Sequence, residues 1–224
     1  MRVYISVDME GIAGVVRREQ VMRGHPGYDQ ACRWMTAEAD AAARGAFEAG
    51  ATHVLVNDSH GDMCNLVLER LDPRVEVLSG SLKRFSMAEG LPDGRFDLAL
   101  FVGYHGGMGT RDAILDHTYR STVVCSVRVG DLTLNEAALN ALVAGAAGTP
   151  VGLVTGDAST CAQCQALLGD VETVVVKWAQ SRHAARSLHP ERAREAVREG
   201  AARAVAQAAR FAPYQLPAPY VLEV

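Results

Sequence analysis

The chain has 224 residues, 49% hydrophobic and 21% charged, a composition that suits a globular protein with enough apolar surface for one large domain and argues against a disordered chain. A net charge of −4 with scattered lysines and arginines leaves no basic footprint for nucleic acid. No apolar run approaches the roughly 20 residues of a membrane helix, the N-terminus lacks a secretion-signal pattern, and five cysteines without a pairing pattern point to a reducing cytoplasm.

The first element, RVYISV at 2–7, reads as a strand. Residues 35–50, MTAEADAAARGAFEAG, form an alanine-rich helix that opens with Thr36 and Glu38 and stops at Gly50. THVLVND (52–58), VEVLSG (75–80) and FDLALFVGYH (96–105) are the next strands. Residues 120–135 predict a hairpin turning at Gly130-Asp131, and EAALNALVAGAAG a helix. PVGLVTGD and VETVVVK are two further strands on either side of a helix, and 190–211 is a long helix with Pro190 in its first turn. Strands alternating with helices, several of them continuous apolar runs, predict an α/β fold with a mostly parallel sheet, a β-hairpin insertion and helices on both faces in three layers. Residues 1–212 form that domain. Residues 213–224 are a proline-rich segment followed by new apolar alternation, either an edge strand or the start of a further region.

Cys161 and Cys164 form a CxxC with no second pair to complete a zinc knuckle, so both thiols are expected in the first turns of a helix capped by Ser159. His25, His53, His183 and His189 have no motif context and are expected to be structural.

In open α/β sheets, ligands bind beyond the carboxyl ends of the strands. The first strand is followed by Asp8 and Glu10, two carboxylates that need a positive partner: a basic side chain, a substrate amine or a metal. VNDSHG follows the second strand with Asn57, Asp58 and His60, GYHGG ends a later strand with His105, and LNEAALN opens a helix with Glu136. Imidazoles mixed with carboxylates are the donors that zinc prefers, although they also suit manganese and cobalt. Asp8, Glu10, His60, His105 and Glu136 are more ligands than one catalytic zinc takes from protein, so two ions sharing a carboxylate fit better than one. His117, one loop further on, is a candidate acid or base. Asn57 and Asp58 are candidates to orient His60, or else turn residues.

YISVDMEGIAG, VLVNDSHG, SGSLKRFSMAEGL, FVGYHGG, DHTYR and NEAALNALVAG, in that order, resemble the zinc-dependent D-aminopeptidases of the DppA type, peptidase family M55. The likeness runs from residue 2 to about residue 193. It implies metal ligation by Asp8, Glu10, His60, His105 and Glu136, with Asp8 bridging two zinc ions per chain. It also implies His117 as catalytic nucleophile or base, N-terminal D-amino acids of short peptides and amides as substrate, and a ring-shaped homo-oligomer, a decamer. Asn135 stands where the family pattern has Gly, and the family continues for several dozen residues beyond PYVLEV. Other readings of the same ligands are a different dinuclear hydrolase (an amidase or phosphatase), a non-catalytic module that binds peptides through metal, and a metal-free domain whose polar strand ends are only loops.

Overall fold

The computed structural model describes residues 1–224, with the surroundings of Gly94 left aside. Strand β1 (Arg2–Val7) leads through a long loop to α1 (Tyr28–Glu48), β2 (His53–Asp58) and β3 (Glu76–Leu78). A short α2 (Leu91–Gly94), β4 (Leu98–Tyr104), and the small strands β5 (Arg128–Val129) and β6 (Leu132–Thr133) come next. Then follow α3 (Glu136–Ala146), β7 (Val151–Asp157), α4 (Ala158–Leu168), β8 (Glu172–Ser181), β9 (Ala184–Ser187), α5 (Pro190–Ala206) and β10 (Leu222–Glu223).

The main sheet runs β3-β2-β1-β4-β7-β8-β9, parallel throughout except for β9, which folds back along β8. Alternation along β1 sends Val3, Ile5 and Val7 into a core shared with α1 and α5, and Tyr4 into a second core shared with α2, α3 and α4. Both sheet faces are therefore covered, which is why the central strands are nearly unbroken apolar runs. From β1 the chain winds outward to β2 and β3 on one side, then returns to place β4, β7 and β8 on the other. The gap between the carboxyl ends of β1 and β4 is thus the switch point where such sheets form a crevice.

Several boundaries differ from the sequence reading. Helix α1 starts at Tyr28, upstream of Thr36, whose hydroxyl donates to the Cys32 carbonyl (2.7 Å) instead of capping. The hairpin shrinks to the pairs Arg128–Thr133 and Val129–Leu132, because 120–127 turns back on itself. β10 adds to β5 as a third, antiparallel strand, so 213–224 includes an edge strand. The cap of α4 is Asp157, whose carboxylate accepts from Thr160 N (2.8 Å), and not Ser159; Cys161 and Cys164 are buried free thiols on that helix. β9 had no clear signal in sequence, since ARS-type polar residues carry little strand preference.

Candidate metal centre

The segment after β1 is drawn tightly against the end of β4. Asp8 N donates to Val102 O (2.8 Å) and Gly11 N to Gly103 O (2.7 Å). A Cβ on Gly11 would lie 2.0 Å from Tyr104 O, and one on Gly103, at φ 71°, would lie 2.4 Å from Asp8 O. Only glycine permits that approach. Lys177, fully buried in the middle of β8, donates to the carbonyls of Glu10, Ile12 (2.9 Å) and Val15 (2.6 Å). Glu38 of α1 accepts from Ala13 N (2.9 Å). The loop that carries Glu10 is therefore held from both its carbonyls and its amides.

Asp8, Glu10 and His60 form one cluster and His105, His117 and Glu136 a second; within each, the donor atoms lie inside 4.8 Å of one another. Asp8 joins them: Oδ1 is 3.1 Å from His60 Nδ1, and Oδ2 is 3.4 Å from His105 Nε2. Glu10 Oε2 is 3.0 Å from His60 Nδ1, Glu136 Oε1 is 3.4 Å from His105 Nε2, and His117 Nε2 is 3.9 Å from the same oxygen. The His105 and His117 rings stack with centroids 4.1 Å apart. Asn135 caps α3 by accepting from Ala138 N (2.9 Å), so it presents Glu136 at the helix start, where Tyr119 N donates to its Oε1 (2.7 Å).

Each imidazole has one nitrogen tied to a backbone carbonyl: His60 Nε2 to Val21 O (2.8 Å), His105 Nδ1 to Gly106 O (3.0 Å) and His117 Nδ1 to Leu115 O (2.8 Å). A carbonyl only accepts, so those nitrogens carry the proton and the opposite nitrogens turn toward carboxylates. A neutral imidazole would then aim a lone pair at an anion, which a cation between them resolves. Asp8 Oδ2, Glu10 Oε2 and His105 Nε2 are buried without a hydrogen-bond partner, and each such atom costs about 1–3 kcal/mol when left unpaired. The donor set, its orientation and its orphaned atoms fit divalent metal of the zinc type.

The electrostatics agree. Burial, reinforced by the Glu10 charge, raises Asp8 to about 6. For His105, burial works downward but Glu136, Asp8 and Glu10 push it up to about 10; His60 is raised well above its usual value by Glu10 and Asp8 against the same burial. Glu10 and Glu136 are held below the usual carboxylate range, against burial, by the imidazoles facing them. Anions this crowded are stable only with positive charge between them.

Asn57 and Asp58 do not touch the His60 ring. Asn57 Nδ2 donates to Met87 O (2.9 Å), and Asp58 accepts from Asn65 N, Leu66 N (2.9 Å) and Asn65 Nδ2 (2.7 Å), while that same Nδ2 donates to His60 O (2.6 Å). They brace the loop, whereas the ring is aimed by the Val21 carbonyl, a main-chain group that leaves no mark in sequence. Lys83, lowered to about 8 by burial, donates to Asn57 Oδ1 and Asp58 O (both 2.6 Å). Lys177 was also missed as a site residue; its only signal is a lysine closing the apolar run VVVK. Of the remaining histidines, His53 stacks on Phe96 and His189 caps α5, but His183 reaches a cleft beside the centre.

A doubly wound sheet with paired carboxylate–imidazole clusters at its switch point defines an α/β protein with a metalloenzyme-type centre. More narrowly, the chain belongs to the D-aminopeptidase family M55, whose family model matches residues 1–224. A D-aminopeptidase of Bacillus subtilis (strain 168) is 38% identical over 227 aligned positions, which take in 100% of this chain and 81% of that protein. A solved structure, the Zn-dependent D-aminopeptidase DppA from Bacillus subtilis, a self-compartmentalizing protease, matches with a TM-score of 0.95 and 38% identity. That match covers 99% of this chain and 80% of the other.

Proposed function

We propose that this chain is a dinuclear zinc aminopeptidase that removes N-terminal D-amino acids from short peptides, and that it works as a ring-shaped homo-oligomer, a decamer, in the cytoplasm. Family membership and the DppA likeness support zinc and the D-aminopeptidase reaction. The observation that carries the two-ion reading is Asp8, whose two oxygens face one cluster each. Glu10 and His60 would complete the holding of one ion, His105 and Glu136 that of the other, and Asp8 would bridge.

Zinc, when bound, supplies Lewis acidity, lowering the pKa of water toward neutrality and polarising a carbonyl. The chain supplies position and proton transfer. His117, with Nδ1 engaged by Leu115 O, keeps Nε2 for the reaction, where it accepts a proton and returns it to the leaving amine. Asp116 holds that loop in place, accepting from Gly109 N (2.7 Å) and pairing with Arg182 (2.8 Å). Met63, Met87 and Tyr119 line the cavity of about 220 Å³ over the two clusters, which suits a small side chain such as that of alanine.

The test is elemental analysis for metal on a sample that is also assayed for release of D-Ala and L-Ala from alanyl dipeptides. Two zinc per chain with D-selective release is expected. One zinc per chain would remove the bridging role of Asp8, and L-selective release would remove the proposed substrate.

A further inference from the structure

Two cavities share the walls of the metal centre. The inner one, about 220 Å³, is lined by Asp8, Glu10 and Glu136 and by no lysine or arginine. The outer one, about 620 Å³, shares Glu10, His60, Gly61 and His117 with it and runs on to Arg18, Arg182 and His183. The outer lining thus adds two arginines that the inner one lacks, and Glu10 and His117 belong to both.

The two arginines differ in availability. Arg182 is engaged, its Nε pairing with Asp116 Oδ1 (2.8 Å) and its Nη2 donating to Asp116 O (2.6 Å). Arg18 is exposed and has no hydrogen bond or ion pair among the described residues. It is not on a loose segment, however. It opens the 3₁₀ turn Arg18–Val21, whose buried Gln20 accepts from Val16 N and Arg17 N (both 2.9 Å) and whose Val21 carbonyl holds the His60 ring. A free guanidinium rooted on a turn braced against the centre is available to an anion entering the cleft, and its planar fork matches a carboxylate.

We propose that Arg18 receives the C-terminal carboxylate of the substrate, making the enzyme selective for short peptides with a free carboxyl end. The inference rests on the aminopeptidase reading above. The N-terminal residue occupies the inner, anionic cavity, the scissile bond lies at His117, and the leaving portion extends along Met22, Met108 and Leu115 in the outer cleft. A zwitterionic peptide is then aligned by the field of the cleft before any chemistry occurs. A C-terminal amide keeps the shape and loses the charge that Arg18 recognises.

The test compares zinc-loaded wild type, Arg18→Ala and Arg18→Lys on D-Ala-D-Ala and on its C-terminal amide, with kcat and KM determined separately. In the wild type, kcat/KM should favour the acid by about tenfold or more, mainly through KM, as one charge-assisted hydrogen bond would give. Arg18→Ala should bring the acid-to-amide ratio toward one by raising KM for the acid, and Arg18→Lys should restore part of it. A wild-type ratio near one, or a ratio that survives Arg18→Ala, overturns the role of Arg18. D-Ala release without acid preference leaves the aminopeptidase reading intact, whereas no release from either compound overturns both.

Discussion

At the scale of the residue, the centre depends on side chains whose freedom has been removed by backbone groups. His117 has one nitrogen on the Leu115 carbonyl and its ring flat against His105, so it cannot turn to another partner. His117→Ala is expected to leave metal content unchanged while turnover falls by at least about 100-fold, the low end of acid–base contributions. Elemental analysis and steady-state rates on the same preparation check this; loss of metal would make His117 a ligand instead. Glu38 offers a test of the support beneath the site. Burial raises it from 4.5 to about 7, despite the Ala13 amide and the Lys177 charge. The folded protein therefore holds this proton more tightly than the unfolded chain, so the stabilisation is complete below pH 4.5 and is lost as pH rises through about 7. At about 1.4 kcal/mol per pH unit, the loss is about 3 kcal/mol. Glu38→Gln keeps an acceptor for Ala13 N and cannot ionise. Urea unfolding at about pH 5 and about pH 8 should show the wild type losing about 2.5 kcal/mol more than the variant over that interval, the part of the shift that lies above pH 5.

At the scale of the element, the site exists because two parallel strands end side by side and the chain leaving one crosses the other at van der Waals distance. Gly11 and Gly103 make that crossing, and a methyl group at either would have to displace main chain rather than a flexible side chain. Gly103→Ala adds the strain of a positive φ. It should cost about 1–3 kcal/mol or more and separate Asp8 from His105, lowering zinc affinity. Chemical denaturation and zinc titration with a competing chelator measure the two effects; a variant with wild-type zinc affinity would show that the crossing does not set the distance between clusters. The glycines themselves are visible in DMEGIAG and FVGYH, but their reason is not, since each is demanded by a strand distant in sequence.

At the scale of the whole molecule, three layers cover the sheet and leave its switch point open. Tyr220, Val221, Leu222 and Val224 remain exposed near β10. The proposed decamer predicts a light-scattering mass ten times the 23.9 kDa of one chain, and a monomer at all concentrations would dismiss the ring. No helix is long and apolar enough to cross a membrane among the described residues. The alternation of apolar runs with helical segments was sufficient to read the α/β class and the parallel sheet, because burial on both faces imposes that pattern locally. Asp8, Glu10, His60, His105 and Glu136 were legible for a related reason: each follows a strand or opens a helix, and chain position alone puts strand ends at one edge. The tertiary structure alone decided that Asp8 faces both clusters, that Val21, Gly106 and Leu115 carbonyls aim the imidazoles, that Lys177 and Glu38 clamp the Glu10 loop, and that Arg18 stands free in the adjoining cleft. Those are contacts between main chain and side chain across long sequence separations, and main-chain groups are the same at every residue, so no local pattern can encode which of them will meet.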